Sequence, residues 1–375
     1  MLRFIKIPFV IAFILFCNEI AVSQVRTFTE NPQILLGLRT DRSPSLTFAD
    51  IDSDGDLDVL VASGRHWPQQ NEVFINNGSG GFTVGYALGL EYSTSYSIPV
   101  ADLDGDGDLD AVVANDLAHN MIYLNDGRGH FSRAGNLGPE IESTRDVILA
   151  DLNGDGLPDA IVTNRGMENG IYINLGGSFG VKRGFGSSDD STISLAVSDI
   201  NRDGRPDLVL ANRDGQANFI YLNDASLRFD KAVPYGTGND ETRAVAVADM
   251  NLDGHLDLVT ANIGEANGIY FGDDTGAFGD GIKFGSEDGR SYDLELVDLD
   301  NDGDMDIVIV NVRSQNVAFF NDGTGRNFVE VRFGSAEDIS YGVGVGDVNG
   351  DGFPDIGVAN SDGLNGIHIN LPKQR

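Results

Sequence analysis

The sequence counts in steps of 49. An asparagine that precedes an apolar-aromatic run, as in NMIYLNDGRGHF, falls at Asn71, Asn120, Asn169, Asn218, Asn267, Asn316 and Asn365, and every interval is 49. An acidic segment keeps the same rhythm, beginning at Asp50, Asp102, Asp151, Asp199, Asp249, Asp298 and Asp347. A fixed period of this length marks a repeat architecture, in which each copy is one supersecondary unit that buries its apolar faces only against its neighbours. Seven copies leave no length for a second domain, and residues 24–375 are expected to form one.

Each copy carries four short strand signals. In the fifth these are TRAVAVAD, then LDLVTAN after the acidic segment, then NGIYFG, then the end of GAFGDGIKFG. Runs of four to eight β-formers, broken by Gly, Asn and Asp, leave little room for helix. Four strands per copy at this period predict an all-β chain, a seven-bladed β-propeller of four-stranded blades. The last copy stops at GIHINLPKQR, after its third strand, and the opening RTFTENPQILLGL (residues 26–38) matches the fourth-strand segment HFSRAGNLGPEI. The N-terminal strand is therefore expected to complete the last blade and close the ring without an unpaired inner edge.

The acidic segment reads D-x-[DN]-x-D-G-x-x-D in all seven copies. Positions 1, 3, 5 and 9 are Asp50, Asp52, Asp54 and Asp58 in the first and Asp102, Asp104, Asp106 and Asp110 in the second. They are Asp151, Asn153, Asp155 and Asp159 in the third, then Asp199, Asn201, Asp203 and Asp207 in the fourth. The remaining three sets are Asp249, Asn251, Asp253 and Asp257; Asp298, Asp300, Asp302 and Asp306; and Asp347, Asn349, Asp351 and Asp355. Carboxylates this dense repel one another unless a cation sits among them. Hard oxygen donors on a flexible glycine-bearing loop suit Ca²⁺ better than Zn²⁺ or Cu²⁺, and Mg²⁺ prefers to keep its waters. Up to seven calcium ions are expected. An EF-hand would need Glu at position 12, where the first loop has Val61. The alternative is an acidic turn that caps its own backbone without metal.

These loops, with Phe185-Gly186, Phe284-Gly285 and Phe333-Gly334, resemble the FG-GAP or VCBS repeats of integrin-alpha-type propellers. The resemblance covers residues 26–375. It implies a seven-bladed propeller with structural calcium in the loop between the first and second strands of each blade, and it leaves the ligand open.

The first 23 residues read as a secretory signal peptide: Arg3 and Lys6 open it, Ile7 to Cys17 is a short apolar core, and Ala21-Val22-Ser23 precedes a cleavage point before Gln24. A secreted, extracellular or periplasmic location is expected, with no membrane span, since no later segment is long and apolar enough. Cys17 is the only cysteine, so the processed chain has no disulfide. A net charge of −33 excludes nucleic acid as a partner, because phosphate binding needs a basic face.

Ligand candidates lie at the end opposite the acidic loops. Six residues before each first Asp stand Pro44, Tyr96, Arg145, Ile193, Arg243, Tyr292 and Tyr341, near the mouth of a central channel. The residue before each is always Ser or Thr, read as a turn cap. Arg165 and Arg213 follow second strands and belong to the same face, where pairing with Asp146, Glu168 or Asp214 is the plainer role for the arginines. The first copy carries a longer loop, SGRHWPQQN, whose His66 and Trp67 are candidates for stacking on a sugar; His119 holds the corresponding place in the second copy. The composition and motifs point to a secreted calcium-binding module for glycans or extracellular protein surfaces. A polysaccharide lyase using Tyr or His as base and Arg to neutralise a carboxylate is the alternative, and a purely structural partner in a larger assembly is a third.

Overall fold

The computed structural model describes residues 26–279 and 281–373. Residues 1–23, read above as a signal peptide, lie outside the described residues. Every regular element among the described residues is a strand, and none is a helix that could cross a membrane. Seven four-stranded units follow one another. In the first, Ser45–Ala49, Asp58–Ala62, Gln69–Ile75 and Val84–Ser93 pair in sequence as an antiparallel meander. In the last, Ser340–Gly346, Asp355–Asn360 and Gly366–Pro372 are joined by Arg26–Leu35, with Arg26 opposite Pro372 and Glu30 opposite His368. The N-terminal strand completes the final unit as expected.

Second strands show why the repeat folds this way. Asp159–Asn164, Asp207–Asn212, Asp257–Asn262, Asp306–Asn311 and Asp355–Asn360 are buried at every position. Each reads as a continuous apolar run because it is covered on both faces. Side chains alternate between those faces. In the first unit Leu60 and Ala62 pack with Val113 and Tyr123 of the second unit, while Val59 and Val61 pack with Val348 and Ile367 of the seventh. Seven such clusters lie between successive units, and the one between the seventh and the first completes the circuit.

Five units are separate sheets, but the second and third are fused. The second strand of unit two, Asp110–Ala118, runs on past its usual end and pairs with the first strand of unit three, Glu142–Ala150, through Glu142 opposite Ala118. The first strand of unit two is split into Ser95–Ser97 and Val100–Ala101 around Pro99, which has no N–H to give a ladder.

Candidate functional site

The acidic loops share one geometry. Position 1 receives the N–H of position 6 in every copy, as Asp50 does from Gly55 (3.0 Å), and that of position 5 in six of the seven, as from Asp54 (3.1 Å). Position 5 receives the N–H of position 7, as Asp54 does from Asp56 at 3.0 Å. The glycine at position 6 has positive φ in all seven copies, from 84° to 97°. A side chain there would be strained although the space beside Gly55 is open. Position 4 is left-handed throughout as well, including Arg202 and Leu252, which carry that conformation without glycine's freedom.

Position 9 has a second task. Asp306 accepts the N–H of Leu299 at 2.9 Å and of Asn321 at 2.8 Å, tying the loop to the end of the third strand, and the other six copies repeat the pair. Burial pushes these carboxyls up, to about 6 at Asp58, Asp110 and Asp257, about 7 at Asp355 and about 8 at Asp306. Asp52 rises too, from burial first and then from its repulsion by Asp54, and its Oδ1 is buried without a hydrogen-bond partner. Three loops gather three carboxylate oxygens within 4.8 Å of one another: Asp50, Asp52 and Asp58; Asp102, Asp104 and Asp110; Asp298, Asp300 and Asp302. The other four hold Asn at position 3. Dense, partly buried oxygen donors of one sign fit a hard divalent cation. Loop four differs, because Arg205 already reaches Asp203 at 2.5 Å and competes with any cation there.

The other end of the ring opens on a channel of about 670 Å³. His66, Tyr96, Arg145, Arg165, Arg213, Arg243, Tyr292 and Tyr341 all line it, so residues from all seven units converge on one mouth. Arg145 lies 4.4 Å above the Tyr96 ring, Arg243 4.5 Å above Tyr292, and Tyr292 meets Tyr341 edge-on at 4.7 Å. Tyr96 Oη is 3.4 Å from His66 Nδ1. Most of the arginines are paired, though not all with the partners named from sequence. Arg145 reaches Asp116 at 2.8 Å rather than Asp146, and Arg165 and Arg213 share Asp214. Deeper in the channel stand Asp146, Asp293 and Glu295. Burial is the main cause that raises them, to about 7, 7 and 8 respectively.

Two sequence candidates stay outside this mouth. Trp67 projects into solvent, 64% exposed, and His119 turns its Nδ1 to the Glu140 carbonyl at 2.9 Å. The Ser/Thr ring is not a set of turn caps. Asn71 Nδ2 donates to Ser95 Oγ of the next unit at 2.9 Å, and Ser95 Oγ donates to Asn115 Oδ1 at 2.9 Å. Asn365 closes the circuit by donating to Ser43 at 3.1 Å. The hydroxyls therefore connect neighbouring units, which is why they sit beside the 49-residue asparagine marker. A second circuit was missed. An asparagine ending the third strand donates to the position-2 carbonyl of the preceding unit's loop, from Asn125 to Ile51 (2.7 Å) and from Asn76 to Val348 (2.8 Å) across the seam. Its signal was the recurring Asn of YLND, FINN and FFND; unit five has Gly272 there. Arg65, beside His66 and Trp67 in the longer loop of unit one, also lines the mouth. It lies 3.8 Å above the Tyr341 ring.

A model described as FG-GAP-like repeat matches six overlapping stretches, residues 50–113, 102–162, 151–210, 199–260, 249–309 and 298–358. No curated protein matches. Among solved structures, BBS1N in complex with ARL6DN, from the lead-soaked crystal, aligns over 94% of this chain and 99% of its own at 12% identity, with a TM-score of 0.60. Chaetomium thermophilum Raptor aligns over 93% of this chain and 29% of its own at 14% identity, with a TM-score of 0.62. At these identities the likeness is one of fold. The repeat model starts each match at an acidic loop and ends it in the second strand of the next unit, spanning more than half of the sequence: the chain belongs to the FG-GAP repeat family.

Proposed function

We propose that this protein is an exported, calcium-stabilised propeller that binds the surface of another protein through its channel mouth. The observation that carries the reading is the convergence of nine arginine, tyrosine and histidine residues, from all seven units, on one cavity in an otherwise acidic molecule. Nothing in the packing of the ring requires so many large side chains at one place, since the equivalent positions also accept Pro44 and Ile193. Calcium has a separate task at the opposite end. There the position 1, 3, 5 and 9 oxygens would hold it, and its charge would relieve the repulsion among them. A protein partner is in keeping with BBS1N, whose crystal contains ARL6DN. The test is a surface screen with the protein purified from the medium or periplasm, with and without calcium. Binding that is lost in Tyr292→Ala and kept in a variant of an outer strand supports the mouth; binding indifferent to mouth variants refutes it. An N-terminus at Gln24 on the exported protein checks the leader.

One observation favours a second reading. His66, Tyr96 and Arg145 form a connected set, His66 Nδ1 at 3.4 Å from Tyr96 Oη and Arg145 over the Tyr96 ring. A base beside a guanidinium is the equipment for proton abstraction next to a sugar carboxylate, and exposed Trp67 would offer a stacking surface. A lyase would release unsaturated products that absorb in the ultraviolet from an acidic polysaccharide, whereas a glycan binder would retain the polymer unchanged.

A further inference from the structure

The mouth is basic within a molecule of net charge −33, and its arginines are unequally satisfied. Asp116 neutralises Arg145, and Asp214 serves Arg165 and Arg213. Among the described residues no ion pair includes Arg65 or Arg243. Arg243 Nε is shut off from solvent without a hydrogen-bond partner. Burial, followed by repulsion from Arg213, pushes its pKa down to about 10. The carboxylate it feels through the wall, Asp293, is engaged elsewhere, its oxygens accepting the N–H groups of Val343 and Leu294 at 3.0 Å each. A half-buried guanidinium without a counterion is costly, and a carboxylate brought from outside would offset that cost.

The two free guanidiniums are also held in position. Arg65 stacks on Tyr341, Arg243 stacks on Tyr292, and the two tyrosines meet edge-on, so one unbroken train joins units one, five, six and seven. Stacked arginines lose less freedom when they bind, and their planar donor sets match a carboxylate. On the Arg145 side of the mouth the surface turns apolar. Tyr92, Leu117 and Ile141 are 67%, 67% and 57% exposed. Leu117 follows Asp116, the partner of Arg145, and Glu142 pairs with Ala118, so Leu117 and Ile141 lie at the fused edge of units two and three; Asp116 N–H donates to Thr94 O at 2.9 Å, which brings the end of unit one's outer strand, with Tyr92, alongside. Aliphatic side chains suit a peptide better than a sugar, whose rings stack on flat aromatic faces.

We propose that the mouth is a carboxylate-binding site that anchors an acidic segment of a protein partner. In it Arg243 and Arg65 take an Asp or Glu side chain, and Tyr92, Leu117 and Ile141 receive the flanking apolar residues. The proposal rests on the mouth being the binding surface. Selection of displayed random nonapeptides on the calcium-loaded protein tests it. The expected result is enrichment of sequences with one Asp or Glu next to apolar residues. Their affinity should fall roughly tenfold or more in Arg243→Gln and in Arg65→Ala, and partly return in Arg243→Lys. Replacing the peptide's acid by its amide should cost as much, and added salt should weaken binding. Melting curves identify a variant that has lost its fold, and Arg65, on a surface loop, provides the second variant. Selection without an acidic residue, or affinity unchanged in both variants, overturns the proposal. If non-acidic peptides are selected and Tyr292→Ala removes them, the mouth survives as the binding surface and only the carboxylate is lost. If no peptide is selected while oligogalacturonate binds and Arg243→Gln abolishes it, the carboxylate comes from sugar and the peptide assignment fails.

Discussion

Glu295 stands on the innermost strand of the sixth unit, facing the channel, with Asp293 and Asp146 as its charged neighbours. Where Asp293 accepts backbone N–H groups, among them that of Val343 in the next unit, Glu295 has no hydrogen bond of that kind to offset its burial. Burial and the two acids therefore raise it to about 8 from the ordinary 4.5. The sign of the consequence is fixed by linkage. A carboxyl that holds its proton more tightly folded than unfolded contributes nothing unfavourable below about pH 4.5. It then destabilises progressively as the pH rises, and the loss is complete above about pH 8. Glu295→Gln should accordingly raise the melting temperature at pH 8.5, by an amount corresponding to roughly 1–3 kcal/mol, and change it little at pH 5. Equal effects at both pH values, read in calorimetry with calcium saturating, would show that the side chain matters by shape and not by charge. At Asp306 burial outweighs even the two strand-end N–H groups its oxygens accept, and raises it to about 8 as well.

At the scale of elements, the units are held to one another by more than their apolar faces. Asn321 ends the third strand of unit six, and its Nδ2 donates to Met250 O of unit five at 2.8 Å and to Met305 O at 3.2 Å, while its Oδ1 accepts the Gly325 N–H at 2.9 Å. Asn321→Ala leaves two buried backbone groups, Met250 O and Gly325 N–H, without this partner, so a loss of about 2–4 kcal/mol is expected. Chemical denaturation of that variant beside Asn327→Ala, whose exposed side chain bonds only within its own turn, checks the figure; similar stability of the two would remove the inter-unit bond from the account. Much of this level was legible in the sequence. Strand number, acidic loops and the closing strand followed from a period of 49, because a repeat announces itself seven times. The convergence of Tyr96, Arg145, Arg243, Tyr292 and Tyr341 followed from one register position. What escaped were effects that join copies. Ser95 reads as a turn cap in sequence, whereas its hydroxyl, besides meeting Ser93 Oγ, bonds Asn71 and Asn115, 24 and 20 residues away. The fusion of units two and three, and the pairing of Arg145 with Asp116 instead of Asp146, depend on a second strand running a few residues longer, which no repeat pattern encodes.

For the molecule as a whole, two sources of cohesion other than a disulfide bear on stability. The first is the calcium proposed above. Loops that carry three or four carboxylates each at net charge −33 resist compaction, and ions that bind only the folded ring would stabilise it by mass action. Excess chelator should lower the melting temperature substantially, with loop four, where Arg205 competes, contributing least; an unchanged curve after confirmed metal loss would refute a structural role for calcium. The second is closure. Arg26–Leu35 supplies the outer strand of unit seven, and Arg26 is buried there at 2% exposure, its Nε donating to Asn370 Oδ1 at 2.8 Å and its guanidinium lying 3.6 Å above Phe353. Asn370 in turn donates to Leu299 O of unit six at 2.8 Å. Removing residues 26–38 would thus expose the edge of Gly366–Pro372, uncover Phe333 and weaken the link to unit six, since Phe28 packs against Phe333 at 5.4 Å. The inner strand of unit seven would remain seated, because Gly342 and Gly344 let it approach Pro44 and Leu46 of unit one more closely than any side chain would permit. The expected product is a ring that keeps its inner seam but carries an unpaired outer edge, which is a template for association. Deleting residues 26–38 should therefore produce concentration-dependent oligomers in size-exclusion chromatography together with a lower melting temperature. Removing Lys373 to Arg375 should do neither. Oligomers formed equally by both truncations would place the cohesion of the last unit somewhere other than its borrowed strand.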